Sequence, residues 1–478
     1  MHSDPRDVLL KSPMTTMQVF IVALTIGLNA LDGFDVLAIS FASPGIAVEW
    51  GIDRAGLGIV LSMELIGMAI GSIFLGGVAD KIGRRPTMLG CLVAMALGMF
   101  MVTTTNSLLG SIFAPFFSLF VSGDLDVRLT DLSVWRVITG LGIGGMLAAI
   151  NAVAAEFSNN RRRDLSVSIM SIGYPVGAVI GGLIVAQLLR TNDWRAVFYF
   201  GSAVTVAFLP LVYFFVPESV HWLAGKQPVG ALDRINRTLK RLGHTVVAAL
   251  PVITAEERKR SVGDIFRPGL LAITVCLALA YFFHITTFYF ILKWVPKIVV
   301  DMGFVPASAA GVLVWVNVGG ATGGVVVGLL AQRFSVKAIT IGVMLLSTVM
   351  VAIFGRTGPD LVQLSIICCA AGFFTNGAIV GMYALFARAF PTHVRAFGTG
   401  FAIGFGRGGS VLAPIIAGYL FTWGFALPDV ALAMALGSTA AAAVLLLLKL
   451  KPEVPDAQRA AGRESVSSNL KGAVAHGR

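Results

Sequence analysis

Two carboxylic acids three residues apart are the first groups in the sequence that could do chemistry. Asp32 and Asp35 interrupt a long apolar run, and Gly33 between them would let a neighbouring helix or a ligand approach closely. On a helix, residues three apart lie on the same face. A carboxyl group removed from water can bind a proton on one side of a barrier and release it on the other. We therefore predict that Asp32 and Asp35 handle protons; the alternative is a helix cap or an ion pair.

An arginine in a glycine-rich apolar run is the second such feature. Arg407 stands in the stretch from Gly404 to Gly409. Arginine stays charged at any physiological pH, and its planar guanidinium can bind a carboxylate through two hydrogen bonds. We predict that Arg407 is the counter-charge for an organic anion. The alternative is a structural ion pair, although the apolar runs of this half contain no acid except Asp429 at one edge.

Three further ionisable side chains lie within apolar runs, namely Glu64, Arg136 and His284. Arg136 could pair with either aspartate or with Glu64, and such a pair could couple proton binding to movement or simply hold the structure together. Glu64 must be paired or protonated at this depth. His284 could carry a proton or hydrogen-bond a phenol, because histidine changes charge near neutral pH. The alternative for His284 is a core histidine with satisfied hydrogen bonds.

Aromatic and amide side chains provide candidate walls for a binding site. An aromatic ligand needs apolar or aromatic surroundings with a few polar groups that orient it. We predict that Tyr281 and Tyr289 line such a site, and each could instead serve helix packing. The same two readings apply to Asn29, Tyr174, Asn376, Tyr383 and Phe405.

The elements that position these residues must be membrane helices. Of the 478 residues, 56% are hydrophobic and only 13% are charged, whereas a soluble protein carries about 25% charged residues. A bilayer core of about 30 Å requires about 20 apolar residues per helix. Twelve predicted spans meet this requirement: 17–37, 56–79, 87–105, 134–155, 165–188, 196–216, 269–292, 307–331, 338–355, 361–386, 397–421 and 428–449.

The distribution of lysine and arginine orients these spans. Most basic residues fall in segments on the same side as the N-terminus, and few fall in the opposite segments, where we place Lys293 and Lys297. Because basic loops stay in the cytoplasm, both termini are predicted to be cytoplasmic. The net charge of +11 then follows from topology and requires no nucleic-acid partner. The four cysteines lie in apolar runs and are predicted to be reduced, and we predict no metal site.

The spans divide into two sets of six around a polar loop. Spacing of apolar residues over 230–242 predicts a short amphipathic helix in this loop. We divide the chain into a cytoplasmic N-terminus (1–16), an N-terminal half (17–216) with an extracellular insertion (106–133), a central cytoplasmic loop (217–268), a C-terminal half (269–449) and a cytoplasmic tail (450–478).

The two halves repeat each other in sequence. Glycines spaced four apart, including Gly400, Gly404 and Gly408, also predict close helix crossings. Paired six-helix repeats are typical of secondary transporters, whose substrate sites lie near the bilayer midplane between the repeats. The aligned pairs include Pro44 with Pro296, Gly67 with Gly319, Gly71 with Gly323, Asp80 with Gln332, Lys81 with Arg333, Tyr174 with Arg407, and Asp32 with His284.

Four motifs resemble those of a known superfamily. The stretch from Gly76 to Pro86 resembles the loop between helices 2 and 3 of the major facilitator superfamily, and the stretches beginning at Arg136 and at Pro217 resemble its helix-4 and helix-6 signatures. The stretch from Leu31 to Asp35 matches the Asp-Gly-Phe-Asp motif of its aromatic acid:proton symporters. The resemblance implies an all-α integral membrane protein with twelve transmembrane helices in two pseudo-symmetric halves.

The same resemblance implies a function. The expected activity is proton-driven import of small aromatic carboxylates, such as hydroxybenzoates or benzoate, across a bacterial inner membrane. No cofactor is expected, and a monomer in the lipid bilayer would suffice. The superfamily motif further implies a conformational gate formed by Gly76, Asp80, Gly83, Arg84 and Arg85, which latches the two halves without touching the substrate.

Other functions remain open at the level of sequence. An exporter or antiporter on the same fold is one alternative, since Pro175 and Gly177 partly match an antiporter motif. A symporter for a non-aromatic acid is another. A membrane-embedded enzyme is disfavoured, because the sequence contains neither His-Glu-x-x-His nor Gly-x-Ser-x-Gly and no two histidines within one span.

Overall fold

The computed structural model describes residues 4–104, 111–113, 127–251, 266, 268–390 and 395–448. All regular secondary structure in these ranges is helical. Most of the predicted insertion at 106–133 and the whole tail after residue 449 lie outside the described residues. The last part of the insertion, 127–133, is described and belongs to a helix.

Fifteen helices account for these described ranges. Three are short and lie beside the bundle: α1 (Pro5–Lys11), α8 (Val220–Lys226) and α9 (Ala231–Arg241). The long helices are α2 (Thr16–Trp50), α3 (Arg54–Ile82), α4 (Arg84–Met101), α5 (Val127–Glu156), α6 (Arg163–Leu188), α7 (Arg195–Phe215), α10 (Pro268–Asp301), α11 (Pro306–Leu330), α12 (Val336–Phe354), α13 (Leu361–Ala389), α14 (Arg395–Thr422) and α15 (Leu427–Leu447).

Eleven of the long helices are apolar and long enough to cross a membrane. The twelfth, α4, begins with Arg84 and Arg85, which lower its mean hydropathy, yet its 18 residues extend about 27 Å. The prediction of an all-α membrane fold is confirmed, and α9 confirms the amphipathic helix predicted over 230–242.

The predicted ends of two spans are wrong. α2 has 35 residues and α10 has 34, so both continue well beyond the predicted ends at residues 37 and 292. Lys293 and Lys297 therefore lie within α10 and not in an outer loop. The prediction stopped each span near charged residues, but both helices continue through them. Lys293 has partners inside the bundle, and Asp32 and Asp35 are buried within α2.

Glycines lie at the closest helix crossings, and glycines that align between the two halves make equivalent contacts. A Cβ on Gly67 of α3 would lie 2.1 Å from the carbonyl oxygen of Val137 in α5. A Cβ on its repeat mate Gly319 in α11 would lie 1.8 Å from the carbonyl oxygen of Cys369 in α13. Any larger side chain would push these helices apart. The repeat predicted from sequence is therefore a repeat of helix packing.

Three buried apolar clusters reveal how the two halves meet. We call the end of the bundle at which α2 begins the terminal end, and the other the far end. One cluster at the far end contains residues of both halves. At the terminal end, one cluster is built on buried residues of the N-terminal half, the N-terminus and the central loop, and another on those of the C-terminal half. The halves are thus packed together at the far end and separate towards the terminal end.

Glycines of α14 also show that the halves are packed at the far end and apart at the terminal end. At the far end, a Cβ on Gly418 would lie 2.5 Å from the carbonyl oxygen of Arg54 in the other half. Near the terminal end, a Cβ on Gly400 or Gly404 would meet no atom within 4 Å. The predicted close crossing at Gly400 and Gly404 is therefore wrong for this conformation, because the helix face that carries them is uncovered.

Candidate functional site

A buried carboxylate with two cationic neighbours lies between the halves. Glu64 of α3, Arg136 of α5 and Lys293 of α10 all have fully buried side chains. The Arg136 guanidinium forms an ion pair with Oε2 of Glu64, and Nζ of Lys293 lies 3.5 Å from the same oxygen. Of the partners considered for Arg136 from sequence, the structure selects Glu64. Lys293 joins the group from the opposite half.

The two cations also bind the backbone of α2. Nη2 of Arg136 donates to the carbonyl oxygen of Asp35 at 3.1 Å, and Nζ of Lys293 donates to the carbonyl oxygen of Val36. Burying charges in this way is stable only when every charge has a partner. The cluster therefore ties α2, α3 and α5 of one half to α10 of the other.

Lys293 is the member of this cluster that sequence reasoning missed. Its position suggested a loop residue, since a span of ordinary length starting at residue 269 ends before it. Pro296 three residues later looked like a natural end of the helix, but Pro296 lies inside α10. The repeat offered a signal that α10 continues: Pro44, which aligns with Pro296, likewise stands within an unbroken apolar run.

Asp32 and Asp35 are buried in the N-terminal half without partners. Their side chains are 1% and 0% exposed, and within the described ranges no group hydrogen-bonds to either carboxyl. Gly33 allows α6 to approach, because its Cβ would lie 2.1 Å from the carbonyl oxygen of Tyr174. Unpartnered buried polar groups are costly and rare, and they often have a functional reason.

Arg407 lies among tyrosines contributed by both halves. It is half-buried in α14, and its Nη1 is enclosed without a hydrogen-bond partner among the described residues. Tyr281 packs beside it, because a Cβ on the adjacent Gly406 would collide with the ring of that tyrosine, and Tyr174 and Tyr289 lie within electrostatic range of the guanidinium. An enclosed guanidinium N–H without an acceptor suits a ligand that brings a carboxylate.

Two of the tyrosines near Arg407 share a hydrogen bond. The hydroxyl oxygens of Tyr281 and Tyr383 are 3.2 Å apart, whereas Tyr174 of the N-terminal half and Tyr289 of the C-terminal half pack against the same apolar cluster. Tyr289 packs against all three apolar clusters, so it stands where the halves begin to separate. The structure thus brings together five of the residues predicted for substrate binding, namely Arg407 and these four tyrosines.

The other predicted binding residues mainly contact neighbouring helices. Asn29 donates to the carbonyl oxygen of Met170 at 2.7 Å, and Asn376 donates to that of Gly320 at 2.6 Å. Both bonds join helices of one half. Phe405 is 47% exposed and stacks on other rings of the same half, so it offers an open aromatic surface.

His284 has the environment of a core histidine. Its side chain is fully buried, Nδ1 lies 2.9 Å from Oγ of Ser438, and Nε2 lies 2.8 Å from the carbonyl oxygen of Thr375. Only a protonated Nε2 can donate to that carbonyl, which fixes the tautomer of the neutral ring. Nine residues separate it from Lys293, about 14 Å along α10. The contacts of His284 are those expected of a core histidine with satisfied hydrogen bonds.

The predicted gate begins at a glycine with unusual backbone geometry. Gly83 has φ of +112°, and a Cβ there would lie 2.3 Å from Oε2 of Glu218. Oε1 of Glu218 accepts the backbone N–H groups of Arg84 and Ser219, each at 2.9 Å. Burial raises the pKa of Glu218, and these N–H donors oppose the rise. Gly76, also predicted here, lies within α3.

The charged residues of the gate connect helices of the N-terminal half. Arg84 contacts Asp80 at 2.5 Å and Glu156 at 3.1 Å. Arg85 donates to the carbonyl oxygen of Tyr213 at 2.5 Å. These contacts join α3, α4, α5 and α7 at the terminal end, where the two halves are apart. A latch between halves at this end would need a conformation in which the halves meet there.

The sequence and the fold both match a known superfamily. The sequence profile of the Major Facilitator Superfamily matches residues 25–370 and, in a second alignment, residues 277–476. The chain belongs to this superfamily. Solved facilitators share its fold: the inward-open xylose transporter XylE from E. coli superposes with a TM-score of 0.63 at 18% identity, over 92% of this chain and 97% of that chain.

Curated facilitators of similar sequence are transporters of aromatic acids. This facilitator is 28% identical to the gallate transporter of Pseudomonas putida over 93% of its own length and 94% of that protein. It is 28% identical, over the same shares, to the 4-hydroxybenzoate transporter PcaK of Acinetobacter baylyi. It is 25% identical to the benzoate transport protein of A. baylyi over 86% and 85%. The resemblance seen in the motifs is confirmed: this facilitator is a multi-pass membrane transporter and not an enzyme.

Within the described residues, no group of three or more histidine, cysteine, aspartate or glutamate side chains is arranged to hold a metal ion. The polar groups between the halves of this facilitator are instead carboxyls, cations and tyrosine hydroxyls. These are groups suited to protons and organic anions.

Proposed function

We propose that the protein is a symporter that imports small aromatic carboxylates together with protons. The observation that carries the proposal is the enclosed, unpartnered Nη1 of Arg407 beside tyrosines from both halves. A guanidinium binds the carboxylate, the rings of the tyrosines contact the aromatic ring, and their hydroxyls accept or donate to ring substituents. The relatives that transport gallate, 4-hydroxybenzoate and benzoate support this class of substrate.

Asp32 and Asp35 are proposed to carry the coupled proton. Both carboxyls are buried in the half opposite Arg407 and have no partner among the described residues. A proton that neutralises one of them removes the cost of a buried charge and lets the loaded protein change conformation. Glu64 and Arg136 take part as the neighbouring ion pair. The driving force is the proton gradient, so no cofactor is needed.

Alternating access is proposed as the mechanism. The far end is packed and the terminal end is separated in this conformation. With the termini in the cytoplasm of a bacterium, this conformation opens inwards, and the substrate leaves Arg407 on that side. Rocking of the two halves about the midplane site would open the far end in turn. One chain contains the complete site, so a monomer suffices.

Uptake into proteoliposomes tests the proposal. Labelled 4-hydroxybenzoate should accumulate under an inward proton gradient, and a protonophore should collapse that accumulation. Asp32→Asn and Asp35→Asn should retain exchange of labelled for unlabelled acid but lose accumulation. Asp193→Asn, an exposed acid in a loop, serves as the matched control.

The outcomes separate the parts of the proposal. Absence of any 4-hydroxybenzoate transport by the wild type would reject this substrate class and direct the search to aliphatic acids and to export. Accumulation that survives the protonophore would reject proton coupling. Full accumulation by both asparagine variants would remove the two aspartates from the coupling role.

A further inference from the structure

Lys293 is a charged residue whose partners all belong to the other half. It lies in α10 of the C-terminal half, and its ammonium contacts Glu64 of α3 and the carbonyl oxygen of Val36 in α2. Its side chain is fully buried. Moving an ammonium from water to such a site is costly unless its partners remain in place. Lys293 therefore stabilises only conformations in which these halves are in contact.

Opening the far end would affect the partners of this cluster unequally. Glu64 would keep Arg136, because both belong to the N-terminal half. Lys293 would lose Glu64 and Val36 together. The next carboxylate along α10 is Asp301, about 12 Å further towards the far end, and it already binds Lys297 of its own helix and Arg54 of the other half. Separation of the halves thus leaves the ammonium of Lys293 in need of a new anion.

The position of Lys293 relative to Arg407 suggests which anion that is. Lys293 follows Tyr289 by four residues, so the two side chains lie on one face of α10, about 6 Å apart along the axis. Arg407 lies further towards the terminal end, because the adjacent Gly406 packs against Tyr281, about two turns before Tyr289 on α10. The C-terminal half therefore carries a cation, a hydroxyl and a second cation in order from the far end towards the terminal end.

We propose that Lys293 holds the far end closed in this conformation and becomes the first cation to bind the substrate's carboxylate when that end opens. The incoming carboxylate replaces the carboxylate of Glu64 on Lys293. Closure requires Glu64 to return, so the substrate must first move on towards Arg407. This inference rests on the proposed function for the nature of the anion, whereas the closing role of Lys293 does not depend on it.

The closing role is tested by a distance measurement without substrate. Spin labels at Val48 and Val305, which are 77% and 61% exposed at the far end of different halves, report separation of that end by double electron–electron resonance. Lys293→Met, which keeps the length of the side chain without its charge, should shift the distribution to longer distances. Lys293→Gln provides a second uncharged variant should the first fail to fold.

Matched controls separate the charge of Lys293 from lysine replacement in general. Lys293→Arg keeps the cation and should keep the wild-type distance distribution. Lys297→Gln, one turn further along the same helix and paired within it, should also leave the distribution unchanged. An unaltered distribution in the uncharged Lys293 variants would overturn the closing role.

The binding role is tested by uptake into intact cells, where substrate reaches the protein from outside. Lys293→Met should raise the KM for 4-hydroxybenzoate by about tenfold or more, because a charge-assisted contact is lost, and Lys293→Arg should restore most of the affinity. A KM equal to that of the wild type would overturn the binding role. If the wild type transports no aromatic acid, the proposed function fails, while the spin-label result still decides the closing role.

Discussion

The two halves of the bundle share their packing but differ in their buried charges. Among its described residues, the N-terminal half buries four acids and one cation in its long helices, namely Asp32, Asp35, Glu64, Asp131 and Arg136. The C-terminal half contributes the cations Lys293 and Arg407, and its acids Asp301, Asp360 and Asp429 lie at helix ends. Gly67 and Gly319 nevertheless make equivalent crossings in the two halves.

This contrast teaches how a duplicated scaffold can couple two ligands. A proton needs a carboxyl group and an organic anion needs a cation, so in the proposed mechanism each half supplies the group for one ligand. In the proposed cycle the halves move as bodies, so the electrostatic interaction between the acids and the cations changes with conformation. Coupling then needs no long pathway, since the interface itself joins the two sites.

The largest effect is expected from removing the acid that both halves share. Glu64→Ala leaves Arg136 and Lys293 buried without their carboxylate, which should destabilise the protein by about 3–5 kcal/mol. Thermal unfolding of the detergent-solubilised protein measures this loss. Glu49→Ala is the matched control, because its ion pair with Arg195 is partly exposed and is worth about 0–1 kcal/mol. Equal melting temperatures for the two variants would contradict the central role of Glu64.

An intermediate effect is expected from the cation of the C-terminal half. Arg407→Lys keeps the charge but loses the planar fork, so one of two hydrogen bonds to a carboxylate disappears. At about 1.5–3 kcal/mol for such a bond, the KM for 4-hydroxybenzoate should rise about 10- to 100-fold. Arg356→Lys, at an exposed position, should change nothing. A KM within about twofold of the wild type would argue against bidentate binding.

A smaller effect should distinguish the two equivalent turns between helices. Gly83 aligns with Ser335 in the repeat, yet φ is +112° at Gly83 and −60° at Ser335. Gly83→Ser should cost about 1–3 kcal/mol, because the side chain adopts a strained conformation against Glu218. Ser335→Gly should cost only a few tenths, as a helix cap is weakened. The two changes are compared by thermal unfolding, and equal losses would show that the turns are interchangeable.

Much of the fold and part of the site could be predicted because charges are rare in apolar sequence. Arg407, Arg136 and Glu64 stand out in runs where an ionisable group requires a reason, and the structure brings each to the region between the halves. Repeated glycines likewise predicted crossings such as that of Gly67. Each of these patterns lies within one short stretch of sequence, so it can be recognised without the three-dimensional structure.

The rest depends on tertiary contacts that no local pattern encodes. Lys293 was assigned to a loop, because a hydropathy argument ends a span at a charge unless the partner across the interface is known. The partner of Arg136 remained one of three acids for the same reason. Gly400 and Gly404 were expected at a close crossing, but one sequence must serve every conformation of the cycle, and this conformation leaves them uncovered.

The packed far end also has an electrical consequence. Water and ions that enter between the halves from the terminal end would reach as far as Tyr289. The membrane voltage would then fall mainly across the packed far end of the bundle. An ion that crosses this thin layer experiences nearly the full voltage, worth about 2.3 kcal/mol per elementary charge at 100 mV. In the proposed cycle, rocking moves the insulating layer from one side of the substrate to the other. The dependence of the transport rate on voltage should therefore reflect the net charge of the substrate and protons that cross together. A monovalent anion that crosses with one proton carries no net charge, so its transport would not depend on voltage.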